Sequence, residues 1–496
     1  MHSKPNILFI MCDQYRFDCI GALGNGKIFT PNIDRLVGRG AAFINAYSPC
    51  PVCVPARYVV HTGRDTHTTC SFDNMRPEAA GGMDAAMEGR CGPYLARHLG
   101  ALGYRTFGVG KFHTYPRDED LGFEVCLRTE EMWGSREERL SDAYCAFIAS
   151  ENPEYAHVEQ PHGERTEMYY MPQTSPMPAE LTVEAFAAGR AAELIGAGET
   201  RPWFGFVSFI GPHPPFAPPV PFNRMYNPDR MDNPVCGSAV TDHMDEHLPW
   251  MNRLIWADEL NDFSARMAKA RYYGEISYID GCVGRLLDAV GRLPDPDNVL
   301  IAFFSDHGDL MGDHRSWQKE SWFEQSARVP FLVSWPKKIP RGTVCGGLTA
   351  LTDLFGVASA AAGGGELRDG ADLFALLQNG AEPREFLLAA YGKPGTPAFK
   401  IMLRKGNYKY IFMSNGGFKQ LFDLRNDPNE LNNLADTQTD IVRGLHALAF
   451  LHAKKPGYAP ALDDDDFKIF PFTRRPMRRI NQMAHDLGAN GFSFLQ

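Results

Sequence analysis

The sequence predicts an α/β sandwich: a large, mostly parallel sheet between helices, followed by a smaller C-terminal α+β unit with an antiparallel sheet. Three observations lead there. The first two-thirds of the chain alternates apolar runs with amphipathic helical stretches, the order of elements expected of βα units. Those apolar runs are continuous, which suits strands covered on both faces. Near Glu385 the pattern becomes an apolar–polar alternation broken by glycine turns, as in an antiparallel meander. The expected division is therefore an α/β domain over 1–384 and an antiparallel-sheet subdomain with its tail over 385–496.

In chain order, the expected strands are Asn6–Asp13, Arg105–Gly110, Trp203–Ile210, Val299–Ser305 and Pro330–Trp335. The expected helices are Asn32–Arg39, Pro93–Leu102, Val183–Ile195 and Ser264–Leu293. The last carries Ile276, Ile279, Val283, Leu286, Leu287 and Val290 at helical spacing, an apolar stripe for a core. Tyr115–Pro178 and Ala217–Phe263 are polar and rich in proline and aromatic residues. They read as long insertions of the kind that shape binding sites. The stretch "FKIMLRKGNYKYIFMSNGGFKQLFDL" has turns at Lys405-Gly406-Asn407 and Asn415-Gly416-Gly417, and a helix follows near Ile441–His452. The tail holds Asp463–Asp466, then Arg474, Arg475, Arg478 and Arg479. Solvated charge is the simpler reading of this segment, and a flap over an anionic site is the alternative.

A chain of 496 residues with a formal charge of -10 is not expected to bind nucleic acid. That charge still allows a local basic pocket for an anionic substrate. The apolar run Ile7–Cys12 is too short to span a membrane, lacks a cleavage site and reads as a first strand. No other run approaches a span, so no membrane partner is expected. Eleven cysteines without a framework pattern suggest reduced thiols and a cytoplasmic location. Cys12 and Cys126 read as small buried hydrophobes.

Asp13 ends the first strand, and Asp306 and His307 end another, in "FFSDHGDLMGDHRSWQKES". Groups at the carboxyl ends of parallel strands converge on the ligand crevice. Two carboxylates and an imidazole there would make a divalent-metal site, with calcium, magnesium or manganese favoured over zinc. One aspartate at a strand end is more often a turn cap. Two such ends, one with an adjacent histidine, favour the metal. In "SPCPVCVPARYVVHTG", Pro55 marks the first turn of a helix and puts Cys53 at its N-terminus. The backbone N–H groups and dipole there favour an anion. Arg57, one turn on, could hold the Cys53 position or an anionic substrate.

Cys53-x-Pro55-x-Arg57 resembles the signature of the formylglycine-dependent sulfatases, a family with the alkaline-phosphatase-like fold. Only Cys53 fits, because Cys50 is followed by "PVCV". "PNILFIMCDQYR", "GYRTFGVGKFH", "FIGPHPPF", "SDHGDLMGDH" and "LFDLRNDPNELNNLAD" are similar to family blocks in family order. The resemblance implies that a formylglycine-generating maturation enzyme oxidises Cys53 to formylglycine. It also implies metal ligation by Asp13, Gln14, residue 53, Asp306 and His307, with calcium first and magnesium or manganese next. Gln14 stands where the family often has a second aspartate, and brings an oxygen without charge. Lys111 and His113 of "GKFH", His213 of "GPHPPF" and Lys319 of "WQKES" match residues that hold sulfate and serve the leaving group. Singly, each lysine would more often be a surface charge and His213 a loop histidine.

These positions imply hydrolysis of a sulfate ester, with a sulfated carbohydrate or other sulfated small molecule as substrate. One hydroxyl of the hydrated aldehyde would attack sulfur, with the cation, Lys111 and Lys319 stabilising the charge. His213 would protonate the leaving oxygen, and His113 would take the proton of the second hydroxyl so that sulfate departs. Cys53 as a thiolate is a poorer account, since sulfur is a soft ligand for a hard cation. A phosphonate or phosphate diester hydrolase of the same superfamily and a non-catalytic binder are the other readings. The Lys111–His113 pair favours the sulfatase.

Overall fold

The computed structural model describes residues 4–77, 86–165, 170–198, 200–237, 244–380 and 384–476. The N-terminal strands are β1 Asn6–Cys12, β2 Ala41–Phe43, β3 Ala46–Tyr47, β4 Arg105–Gly110, β5 Val125–Arg128, β6 Trp203–Phe209, β7 Val299–Ser305, β8 Phe331–Ser334, β9 Thr343–Cys345 and β10 Thr349–Ala350. The C-terminal strands are β11 Phe386–Tyr391, β12 Lys400–Lys405, β13 Tyr408–Met413 and β14 Phe418–Asp423.

The main sheet runs β5-β4-β6-β1-β7-β8-β2-β9. It is parallel from β5 through β7, while β8 runs against both of its neighbours. The continuous apolar run of β1 is explained by its two faces. Leu8, Ile10 and Cys12 pack in one core with the helices Val183–Ile195 and Asp262–Gly291. Ile7, Phe9 and Met11 pack in the opposite core with the helices Cys53–Thr62, Leu95–Ala101 and Asp353–Ala361. A strand buried on both sides has no polar face to reveal its period.

Strands β11 to β14 form the expected antiparallel sheet, with an added strand ahead of the meander. Gly406 closes one turn at φ 55° and Gly416 opens the next at φ 87°, values that glycine adopts at little cost. One face of this sheet packs under the helix Thr439–His452. Its other face packs on Cys50, Val52, Trp322 and Phe323, beside the cysteine motif and the loop that carries Lys319.

The described parts of the insertions carry secondary structure that the sequence reading did not assign. The first contains β5 and the helices Arg136–Ser141 and Ala143–Glu151, and the second contains the helix His247–Leu254. Cys126 is exposed rather than buried, because β5 is the outer strand of the sheet. Asp463–Asp466 are exposed, as expected of solvated charges. Arg475 pairs with Glu246 at 3.0 Å, while Arg478 and Arg479 lie outside the described residues.

A buried charge cluster fastens the C-terminal sheet to the main domain. Lys409 Nζ lies 2.6 Å from Glu324 and 2.7 Å from Glu430, and donates to the Trp322 carbonyl at 2.7 Å. Burial, with the Glu324 charge added and Lys409 opposing, lifts Glu430 to about 7. Replacing this lysine leaves two carboxylates facing each other out of water. Lys409→Met is expected to cost about 3–5 kcal/mol in urea unfolding. The deficit should shrink at mildly acidic pH as Glu430 takes up a proton. An unchanged unfolding midpoint would show that the cluster does not fasten the sheet.

Candidate active site

Four neighbouring parallel strands, in the order β4-β6-β1-β7, end at one edge of the sheet. Asp13 and Gln14 follow β1, Asp306 and His307 follow β7, Lys111 and His113 follow β4, and His213 follows β6. At Gly110 (φ 110°) a Cβ would lie 1.9 Å from the Ser208 carbonyl. Only glycine lets β4 turn Lys111 inward against β6. Cys53 opens the helix Cys53–Thr62, and the Asn74 side chain caps its start by accepting from the Val54 N–H at 3.1 Å.

Asp13, Cys53, Asp306 and His307 are all fully buried, and one ligand atom from each lies within 4.8 Å of the others. Cys53 Sγ is 3.2 Å from His307 Nε2 and 3.6 Å from Asp13 Oδ1. His307 Nδ1 is 3.0 Å from the Gly308 carbonyl. A carbonyl can only accept, so Nδ1 carries hydrogen and Nε2 faces the cluster, as metal-binding histidines are commonly fixed. Burial opposes a charge on His307, but Asp306 and Cys53 raise its proton affinity; that proton is the one a metal replaces. Two carboxylates and an imidazole nitrogen are a donor set that fits a hard divalent cation.

The carboxylates are held unequally. Burial works against ionised Asp13, but Lys111, His213, Arg57 and Lys319 keep it well below the usual carboxylate range. Burial and the Asp13 charge instead lift Asp306 to about 6. Burial and Asp13 also oppose a Cys53 thiolate, yet Lys319, Lys111 and His307 draw the thiol below its ordinary value.

Arg57 is fully buried and its donors are committed within the protein. It donates to Asp13 at 2.8 Å, Asp306 at 3.2 Å, Ser208 Oγ at 3.0 Å and the Lys111 carbonyl at 2.7 Å. The sequence offered the Cys53 position or an anionic substrate as what Arg57 holds; its hydrogen bonds go to neither, and it holds the Asp13 and Asp306 carboxylates instead. Lys111 Nζ lies 2.7 Å from Asp13 and 2.8 Å from Glu131. Lys319 donates to Gln14 Oε1 at 2.7 Å. Its neighbours Gln318 (φ 73°) and Glu320 (φ 69°) have left-handed backbone, uncommon for such residues and typical of loops held by their surroundings. Gln14 donates through Nε2 to Tyr170 Oη at 3.0 Å and to Asp309, which fixes its oxygen toward Lys319.

Burial lowers the proton affinity of both histidines, but their partners differ. Burial and Lys111 push His113 down to about 4, and its buried Nδ1 has no hydrogen-bond partner among the described residues. His213 Nδ1 lies 2.7 Å from the Pro214 carbonyl and 3.4 Å from Glu131 Oε2. The structure thus groups the expected residues around one buried centre. Sequence reading missed Glu131, Arg165 and Tyr170, which lie in the first insertion without a motif. It also missed Asp309, which stood in a quoted block with no role attached.

Arg57 gives a direct test of this centre. Arg57→Lys keeps a charge but loses the planar fork that spans both carboxylates. It is expected to weaken divalent-cation binding by about tenfold or more, read by titration of the metal-depleted protein with calcium, magnesium and manganese. Arg57→Ala should cost a further about 3–5 kcal/mol in unfolding free energy. Unchanged cation affinity in Arg57→Lys would contradict the ligand-holding role.

Comparison with known proteins identifies the family and the fold. The Sulfatase family model matches residues 5–364, and the model for the C-terminal region of N-sulphoglucosamine sulphohydrolase matches residues 312–449. A choline-sulfatase from Rhizobium meliloti (strain 1021) is 32% identical over 470 residues, covering 88% of this chain and 83% of its own. An arylsulfatase from Clostridium perfringens (strain 13 / Type A) is 27% identical over 464 residues, covering 88% and 91%. The crystal structure of a phosphonate monoester hydrolase from Agrobacterium radiobacter superposes with a TM-score of 0.77 at 25% identity, covering 93% of this chain and 97% of that one. The chain belongs to the sulfatase family: it is a sulfuric ester hydrolase with the alkaline-phosphatase-like fold.

Proposed function

We propose that the protein hydrolyses the sulfate ester of a sugar or other small alcohol, with residue 53 acting as formylglycine beside a divalent cation, calcium by preference. One observation carries this reading: Cys53 lies among Asp13, Asp306 and His307 while Lys111 and Lys319 turn toward the same buried point. Asp13, Asp306, His307 and the Gln14 oxygen would hold the cation together with residue 53. When present, the cation supplies positive charge, and formylglycine supplies a hydrated aldehyde with one hydroxyl to attack sulfur and a second through which sulfate is released.

The chain's own groups do the rest. Lys111 and Lys319, both buried, neutralise sulfonate oxygens where water would otherwise screen them. His213 donates a proton to the leaving oxygen. His113, held neutral by burial, accepts a proton when sulfate is released. Tyr115 is 39% exposed, and its ring centre lies 6.5 Å from that of His113. An exposed aromatic face beside the candidate base supports a sugar ring as the alcohol.

The phosphonate monoester hydrolase similarity supports a second reading, hydrolysis of phosphonate or phosphate esters. The Lys111–His113 pair still favours sulfate. The test compares kcat/KM for sulfated sugars, choline sulfate and an aryl sulfate with that for an aryl phosphonate monoester and a phosphate diester. Sulfate esters are expected to be preferred. Chelation should abolish turnover, and added calcium should restore it. Preference for the phosphorus substrates, or full activity after verified metal removal, would overturn the proposal.

A further inference from the structure

Glu131 brings together the groups that face the substrate, although no sequence motif marks it. Its Oε2 atom lies 2.8 Å from Lys111 Nζ, 3.2 Å from Arg165 Nη1 and 3.4 Å from His213 Nδ1. Its side chain is 14% exposed. Burial opposes its charge, but His213, Lys111, Arg165 and His113 hold its carboxyl well below the usual range. Glu131 is therefore an anion on the Nδ1 side of His213. The Pro214 carbonyl, also near Nδ1, can only accept. Nδ1 therefore carries hydrogen, which leaves Nε2 for the substrate.

We propose that Glu131 is a positioning residue paired with His213: it turns Nε2 toward the leaving oxygen and stabilises the imidazolium that donates the proton. This rests on the reading of His213 as the acid. As the attacking hydroxyl oxygen bonds to sulfur, the bond from sulfur to the leaving oxygen breaks, its electron pair stays on that oxygen and the Nε2 proton moves to it. His213 is left neutral, with its Nδ1–H still facing Pro214 and Glu131. It regains an Nε2 proton from the one that hydrolysis releases, since the sulfate monoester and water give the alcohol, sulfate and a proton. Burial leaves the proton affinity of His213 well below the ordinary imidazole value, with Glu131 the leading influence against that pull. His213 therefore rests neutral, and its imidazolium forms only with this carboxylate beside it. The same carboxylate–imidazole logic orients histidine in hydrolytic triads. Lys111 also has Asp13 at 2.7 Å, so it keeps an anionic partner when Glu131 is neutralised.

The experiment uses the mature enzyme and sulfate esters graded from nitrophenyl through phenyl to alkyl or sugar leaving groups. Glu131→Gln is expected to lower kcat for the alkyl ester by about tenfold to a hundredfold, with little change in KM, and to leave the nitrophenyl ester near wild type. Glu131→Asp, which retains the charge, should recover part of the alkyl activity and covers the case in which the glutamine variant does not fold. The Glu131→Gln and His213→Ala double variant should be no slower on the alkyl ester than His213→Ala alone, because the two residues act as a unit. Three results overturn the pairing: an equal loss on every ester in Glu131→Gln, no loss on the alkyl ester, or additive losses in the double variant. If His213→Ala itself shows no leaving-group dependence, the acid assignment fails instead, so the two failures are separable.

Discussion

Two carboxylates held out of water at adjacent strand ends are the constraint on which this site depends. Asp13 and Asp306 are fully buried, and desolvating each ionised group costs several kcal/mol. Arg57 donates to both, and Lys111 adds a second cation to Asp13. These bonds explain why the arginine of the cysteine motif has to be an arginine. A planar fork can reach two carboxylates, a serine and a carbonyl at once, whereas a point charge cannot. The same constraint shapes Cys53, which opens a helix four residues ahead of that arginine and so is drawn into the cluster.

The surrounding fold keeps these groups from relaxing. The loop after β7 supplies Asp306, His307 and Lys319 and then passes over the C-terminal sheet. Tyr391 donates to Glu320 at 2.9 Å, Lys400 donates to the Glu320 carbonyl at 3.1 Å, and Lys409 donates to the Trp322 carbonyl at 2.7 Å. Left-handed backbone at Gln318 and Glu320 is tolerated because these contacts define the loop. The C-terminal sheet thus acts as a buttress for Lys319, which gives it a part in the chemistry although it supplies none of the cluster itself.

Much of this was legible in the sequence. β1, β4, β6 and β7 are long apolar runs, and few alternatives suit such segments. The residues at their ends were legible because the chemistry restricts which types can stand there. Other features left little trace. β2, β9 and β5 are three or four residues long, too short to show a period. Glu131, Tyr170 and Asp309 act by contacts between distant parts of the chain: Gln14 meets Tyr170 across 156 positions and Asp309 across 295. No local pattern encodes such a meeting. The part played by Arg57 needed the structure for the same reason: its spacing from Cys53 suggested a hold on the Cys53 position or on a substrate, whereas it reaches Asp13 and Asp306, 44 and 249 positions away.

The central claim is that this buried cluster works through an oxidised residue 53. Mass spectrometry of the peptide containing Cys53, from protein whose sulfate-ester turnover has been measured in the same preparations, tests it most directly. Conversion of the thiol to an aldehyde lowers the peptide mass by about 18 Da, a change at the cysteine sulfur that oxidative chemistry makes accessible. Across preparations matured to different extents, the account predicts turnover in proportion to the converted fraction. Full turnover from protein in which residue 53 is entirely unmodified cysteine would contradict it.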